Sequence, residues 1–116
     1  MPSMTAYKRG DIVLVPFPFS DQTTVKKRPA VIISSSQYNT TSQDIIIMAV
    51  TSRIDRLLDI GECMIQNWKE AGLLKPLTIK PALSTIEQKL VLKTLGTLSA
   101  GDLASLGAAL KDLLEL

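Results

Sequence analysis

Three cations, Lys26-Lys27-Arg28, stand immediately before an apolar run, and two hydroxyls with a further cation, Thr51-Ser52-Arg53, stand immediately after another. An arginine in such a place stays protonated at any working pH, and its planar fork matches two phosphate oxygens. A threonine hydroxyl at a strand end can reach the same phosphate. The 116 residues include no histidine and a single cysteine, Cys63. Paired-imidazole catalysis is therefore excluded, and a Cys/His metal cluster is lacking. Cleavage of RNA by its own 2′-hydroxyl needs neither. It requires a base at the 2′-oxygen, positive charge on the developing phosphorane and a proton for the leaving 5′-oxygen. Arg28 suits the charge and, being permanently protonated, is a poor base. Asp21 is the first candidate for the base and Asp55 the second. Local chemistry permits these roles without selecting them. An arginine before Pro-Ala is more often a surface ion-pair residue, Thr51 alone is a good strand-end residue, and Lys26-Lys27-Arg28 also reads as a solvated face.

The elements that must position these groups are mostly strands. Asp11 to Val15 is a short, largely apolar run bounded by Gly10 and Pro16. Pro16-Phe17-Pro18-Phe19 is expected outside the sheet, because proline nitrogens donate nothing. Ser20 to Lys27 reads as an exposed loop. Pro29 to Ser34 and Ile45 to Thr51 are β-branched and apolar, as fully buried central strands are. Asn39-Thr40-Thr41-Ser42 and Asp44 supply turn chemistry between them. Leu57 to Ile65 reads as a weaker fourth strand, and Asn67 to Gly72 as one helical turn or a tight connection. Leu77 to Ile79 and Leu83 to Ile86 read as short strands separated at Pro81, and Leu90 to Leu95 is ambiguous. Ser99 with Asp102 resembles a capping box in which aspartate replaces the usual glutamate. Leu103, Leu106, Leu110, Leu113 and Leu114 then recur at helical spacing, predicting a helix over Gly101 to Leu114 that packs on the sheet. The pattern as a whole predicts a mainly β, SH3-like barrel with a C-terminal helix.

Composition narrows the class. Residues 1–116 suit one domain, and 46% apolar with 21% charged residues is globular. A lone cysteine forms no intrachain disulfide and suits a reducing compartment. The opening residues have no signal core, and no apolar run approaches the length of a membrane span. A cytoplasmic protein is expected. Net charge is only +2, with +3 in residues 1–56 and −1 beyond. That is a mild basic bias, equally consistent with ordinary solubilising charge. Aromatic residues total 4%, which argues against an RNA binder built on extensive stacking. Phe17, Phe19 and Trp68 read as core or interface, and Cys63 as an inert buried thiol.

Lys8-Arg9-Gly10-Asp11-Ile12-Val13-Leu14-Val15-Pro16-Phe17-Pro18-Phe19 resembles the opening strand of the MazF/PemK toxin family. Lys27-Arg28-Pro29-Ala30-Val31-Ile32-Ile33-Ser34 resembles its second strand, and Ala49-Val50-Thr51-Ser52 its third-strand ending. Gly72-Leu73-Leu74-Lys75-Pro76, Ser84-Thr85-Ile86 and Leu95-Gly96-Thr97-Leu98-Ser99 follow in the family's order. The resemblance spans almost the whole chain. It implies the SH3-like barrel of the MazF/PemK/CcdB type, a homodimer, and sequence-specific cleavage of single-stranded RNA without a metal or other cofactor. It also implies a small acidic antitoxin that blocks the RNA groove, and operator DNA bound through the antitoxin complex. By residue match, Arg28 and Thr51 fall on the family's catalytic positions. Lys26, Lys27, Phe17, Ser52, Arg53 and Lys80 are the expected RNA contacts. Two departures bear on which RNA is cut. Pro81-Ala82-Leu83 is apolar where the family often has polar residues, and the first loop, Asp21-Gln22-Thr23-Thr24-Val25, has no glycine. A CcdB-like poison of DNA gyrase, or a member that only binds antitoxin and DNA, is the competing reading. Thr51-Ser52 together with Arg28-Pro29 favours the nuclease.

Overall fold

A computed structural model describes residues 6–17, 26–55 and 57–116. Six antiparallel strands form one curled sheet: β1 (Asp11–Phe17), β2 (Lys26–Ile32), β3 (Asp44–Thr51), β4 (Cys63–Met64), β5 (Thr78–Glu87) and β6 (Lys93–Thr97), in the order β4-β5-β3-β2-β1-β6. A short helix, α1 (Ser36–Thr41), joins β2 to β3, and α2 (Ala100–Leu114) closes the described chain. This is the expected architecture, mainly β with a C-terminal helix.

Both faces of the sheet are buried, which is why its central strands are apolar at successive positions. Pairing keeps the faces in step. Ile12 opposes Val31 and Val31 opposes Met48, while Val13 opposes Ala30 and Ile32 opposes Ile47. The first set belongs to a cluster with Ile65, Ile79, Leu106 and Leu110. The second belongs to a cluster with Val15, Ile45 and Ile86. Helix α2 covers the first. Leu106 is fully buried, Leu110 nearly so, and Leu103 packs from the edge of that cluster, whereas Leu114 is exposed and lies outside the core stripe.

Several expectations are corrected. Pro16 and Phe17 do extend β1, opposite Lys27 and Lys26. β6 pairs with β1 only from Asp11 to Leu14, so Pro16 lies where β1 has β2 on one side only, a place that tolerates a missing donor. Lys26 and Lys27 accordingly belong to β2 and not to a loop. The segment before β3 is a helix with Ser35 as its cap, its hydroxyl accepting from the Tyr38 amide at 3.1 Å. The strand expected over Leu57 to Ile65 shrinks to Cys63 and Met64. β5 runs on through Pro81, and the interruption expected there is a bulge: Met48 pairs with Leu83 but Val50 with Ile79.

Asp102 is the other revision. The Ser99 hydroxyl caps α2, accepting from the Asp102 amide at 3.2 Å. The Asp102 carboxylate, 2% exposed, does not complete a capping box. It accepts instead from the backbone amides of Gln66 and Asn67 at 3.0 and 2.9 Å, tying the helix start to the turn that follows β4.

Candidate functional site

The turn that Asp102 anchors leads into one wall of a groove at the ends of β2 and β3. Residues 67–73 fold back through Asn67 carbonyl to Ala71 amide and Trp68 carbonyl to Leu73 amide bonds of 3.0 Å each. The turn rests directly on β6. A Cβ added at Gly96 would sit 1.6 Å from the Ala71 carbonyl oxygen, and one at Gly72 2.7 Å from that of Leu95. Gly72 also has φ +89°, a conformation other residues adopt only with strain. Two glycines thus let loop and strand backbones touch, and the loop then projects Leu73, Leu74 and Lys75 over the ends of β2 and β3.

Between that loop and those strand ends lies a cavity of about 310 Å³, lined by Arg28, Thr51, Ser52 and Lys75 over Val50 and Leu77. Arg28 and Thr51 come from adjacent strands. The β2–β3 pairing ends at Ala30 and Ala49, and two residues beyond it on each strand stand Arg28 and Thr51, which line the same cavity. The Thr51 hydroxyl accepts from the Arg53 amide at 3.2 Å, which fixes the oxygen and leaves its proton to donate. On its other side Thr51 pairs with Thr78, whose side chain is 1% exposed and whose hydroxyl has no hydrogen-bond partner among the described residues.

A second cavity, of about 250 Å³, adjoins the first and shares Arg28, Pro29 and Val50 with it. Its remaining walls are Val15, Ala30, Ala49 and Ala82, and Lys80 stands at its side. The β5 bulge places Lys80 and Ala82 here, since residues 80–82 fall between the two registers of the β3–β5 pairing.

The structure therefore brings Arg28, Thr51, Ser52 and Lys80 to one groove. Lys26, Lys27 and Arg53 are exposed on the same strand ends without lining either cavity. Phe17 contributes backbone opposite Lys26. Asp55 is exposed, four residues beyond Thr51, and Asp21 lies outside the described residues. Lys75 was missed as a site residue. Its motif, Gly72-Leu73-Leu74-Lys75-Pro76, is visible in the sequence, but only the Gly72–Gly96 contact reveals that the loop folds over Arg28. Cys63 is no nucleophile: burial pushes its thiol upward, and the Asp102 carboxylate adds to the shift. Trp68 packs against the core, with the Lys69 ammonium 5.4 Å from its ring.

The family model for the PemK-like, MazF-like toxin of type II toxin–antitoxin systems matches residues 8–114. A search of curated proteins finds no match. Among solved structures, MazF from Deinococcus radiodurans is similar at 20% identity and TM-score 0.74, over 97% of this chain and all of that one. The Deinococcus MazE-MazF complex (Form-II) gives 20% identity and TM-score 0.76, over 97% and 99% of the chains. An endoribonuclease in complex with its cognate antitoxin, from a Mycobacterial species, gives 16% identity and TM-score 0.74, over 97% of each chain.

Proposed function

The chain belongs to the PemK-like, MazF-like toxin family of type II toxin–antitoxin systems, and from that premise we propose that it is an endoribonuclease, the toxin of its pair, cutting single-stranded RNA in the cavity that Arg28 and Thr51 both line. The observation that carries this reading is the placement of a permanent cation and a fixed hydroxyl on adjacent strand ends, in one groove with a second cation, Lys75.

The reaction follows from those groups. The RNA 2′-oxygen attacks the adjacent phosphorus, a 2′-O–P bond forms and the P–5′-O bond breaks. Arg28 donates two parallel hydrogen bonds to the phosphorane oxygens, and its charge offsets theirs. Thr51 donates a hydrogen bond to the same phosphate, and the leaving 5′-oxygen takes its proton from water. With no histidine in the sequence, a carboxylate takes the 2′-proton. Asp21 and Asp55 are the candidates, Asp55 being the described one. No step requires a metal. The apolar floor of Val50 and Leu77 lowers the local dielectric and strengthens each charge contact.

The antitoxin that such a groove accepts is a small protein with an acidic, partly disordered segment, ordering over Lys27 and Arg28 as it binds. Operator DNA is reached through that complex. The toxin acts in the cytoplasm as a homodimer, residues 1–116 forming a single toxin domain. Its interface buries more than about 1,000 Å² in total. Among the described residues no helix is long and apolar enough to cross a membrane.

The test is incubation of the purified protein with single-stranded RNA in excess EDTA. Fragments bearing 2′,3′-cyclic phosphate and 5′-hydroxyl ends are expected. Growth arrest on expression without any RNA cleavage would overturn the reading, and is the outcome a gyrase poison would give.

A further inference from the structure

Two lysines flank Arg28. Lys75 lines the first cavity and not the second, and Lys80 lines the second and not the first. The cavities meet at Arg28, Pro29 and Val50, so Arg28 stands between the two ammonium groups. One short stretch of chain carries both lysines. Leu77 lines the first cavity, Thr78 and Ile79 pair with Thr51 and Val50, and Lys80 then enters the β5 bulge in the second. From Lys75 to Lys80 the backbone reaches at most about 18 Å, which limits the RNA between them to a few phosphates. Both lysines are exposed, and neither pairs with a carboxylate among the described residues.

RNA carries one anionic phosphate per nucleotide. Once one phosphate is held at Arg28, the covalent chain brings the next on each side toward the two cavities. A lysine ammonium is a compact point charge with three donors, suited to holding a phosphate without the two-pronged contact that Arg28 makes. We propose that the groove is a three-phosphate track, in which Arg28 holds the cleaved phosphate and Lys75 and Lys80 hold the phosphates on either side of it. This deepens the nuclease reading and rests on it. Anchoring the backbone on both sides fixes the reacting phosphate against Arg28 and Thr51, which is where positioning contributes to rate. It also makes the site one for internal bonds: a step at the end of an RNA lacks one neighbouring phosphate and forfeits one anchor.

The test neutralises one phosphate at a time. The cleaved step is first located by mapping the fragment ends of a mixed-sequence single-stranded RNA. That substrate is then made with an uncharged methylphosphonate at the phosphate immediately 5′ of the cleaved one, or at the phosphate immediately 3′ of it. The quantity read is the protein concentration giving half-maximal single-turnover cleavage. In the wild type each neutralisation should raise it several-fold, with a smaller change in rate at saturation. In Lys75→Ala the penalty on one side should vanish and the other remain, and in Lys80→Ala the reverse should hold. Lys75→Arg and Lys80→Arg should restore the wild-type pattern, and Lys111→Gln, on α2, should keep both penalties. Both lysines answering to the same phosphate, or penalties that survive both alanine substitutions, would overturn the track and leave the nuclease standing. No cleavage of the unmodified RNA by the wild type would overturn the nuclease reading and the track with it.

Discussion

Arg28 and Thr51, each two residues beyond the Ala30–Ala49 pair at which the β2–β3 pairing ends, both line the cavity that the residue 72–77 loop covers. Each group is carried on a strand paired on its other side, Arg28 opposite Val15 and Thr51 opposite Thr78. Neither group then has to be ordered when the phosphate arrives, which is the condition for efficient charge stabilisation in a transition state.

The covering loop depends on Gly96. In Gly96→Ala the new methyl would have to displace the Ala71 carbonyl, since 1.6 Å is far inside contact distance. We expect a loss of about 2–3 kcal/mol in urea unfolding, the scale of a forced backbone shift. RNA affinity should fall with it in the folded fraction, because Lys75 moves away from the groove. Unchanged stability would show that the loop does not rest on β6.

Thr78→Val is expected to stabilise the protein. The Thr78 hydroxyl is buried with no partner among the described residues, and valine keeps the shape while removing the desolvated group. A gain of about 1 kcal/mol, seen as a rise in thermal midpoint, is the expected outcome. A clear loss would mean that the hydroxyl has a partner essential to the fold.

Asp102→Ala should cost about 3 kcal/mol or more in urea unfolding, because it strands the Gln66 and Asn67 amides and empties part of the helix start. Asp102→Asn should fall between wild type and alanine. Its amide oxygen can still accept one of the two bonds, but the charge is gone. Equal stability of alanine and wild type would remove Asp102 as the link between α2 and the turn.

Lys75→Ala should weaken RNA binding several-fold and reduce the slope of log affinity against log salt by about 0.7, one phosphate contact on a single strand. Its effect on single-turnover rate at saturation should be small, because Lys75 supplies charge from the covering loop and not from the strand ends that carry Arg28 and Thr51. Titration at several salt concentrations measures both. An unchanged slope would place Lys75 away from the phosphates.

Much of this was legible in the chain. Val31 with Met48 and Ile32 with Ile47 lie on opposite faces of strands buried on both sides, so unbroken β-branched runs identified β2 and β3 correctly. The leucine stripe identified α2 because Leu106 and Leu110 do face the core. What failed depends on contacts between distant segments. Pro16 belongs in β1 only because β6 ends its pairing at Leu14, and no local pattern reveals where a neighbour stops. Pro81 marks a bulge and not a break because β3 spans it. Asp102 looked like part of a cap from its spacing to Ser99, but its partners are more than 30 residues away. Arg28 and Thr51 were named by resemblance; their mutual placement needed the register. Lys75 became visible only once Gly96 was seen beneath the loop.

The most direct test of the account is single-turnover cleavage of a mixed-sequence single-stranded RNA in excess EDTA by wild type, Arg28→Ala, Arg28→Lys and Thr51→Ala, with folding of each checked by circular dichroism. Arg28→Ala should cut about 10²–10³ times more slowly, the scale for removing one preorganised donor to the transition state. Arg28→Lys should recover only part of that loss, because an ammonium cannot make the two-pronged contact. Thr51→Ala should lose less than Arg28→Ala, and RNA affinity should change much less than rate in all three. Full activity in Arg28→Ala, or wild-type activity abolished by EDTA, would contradict the account.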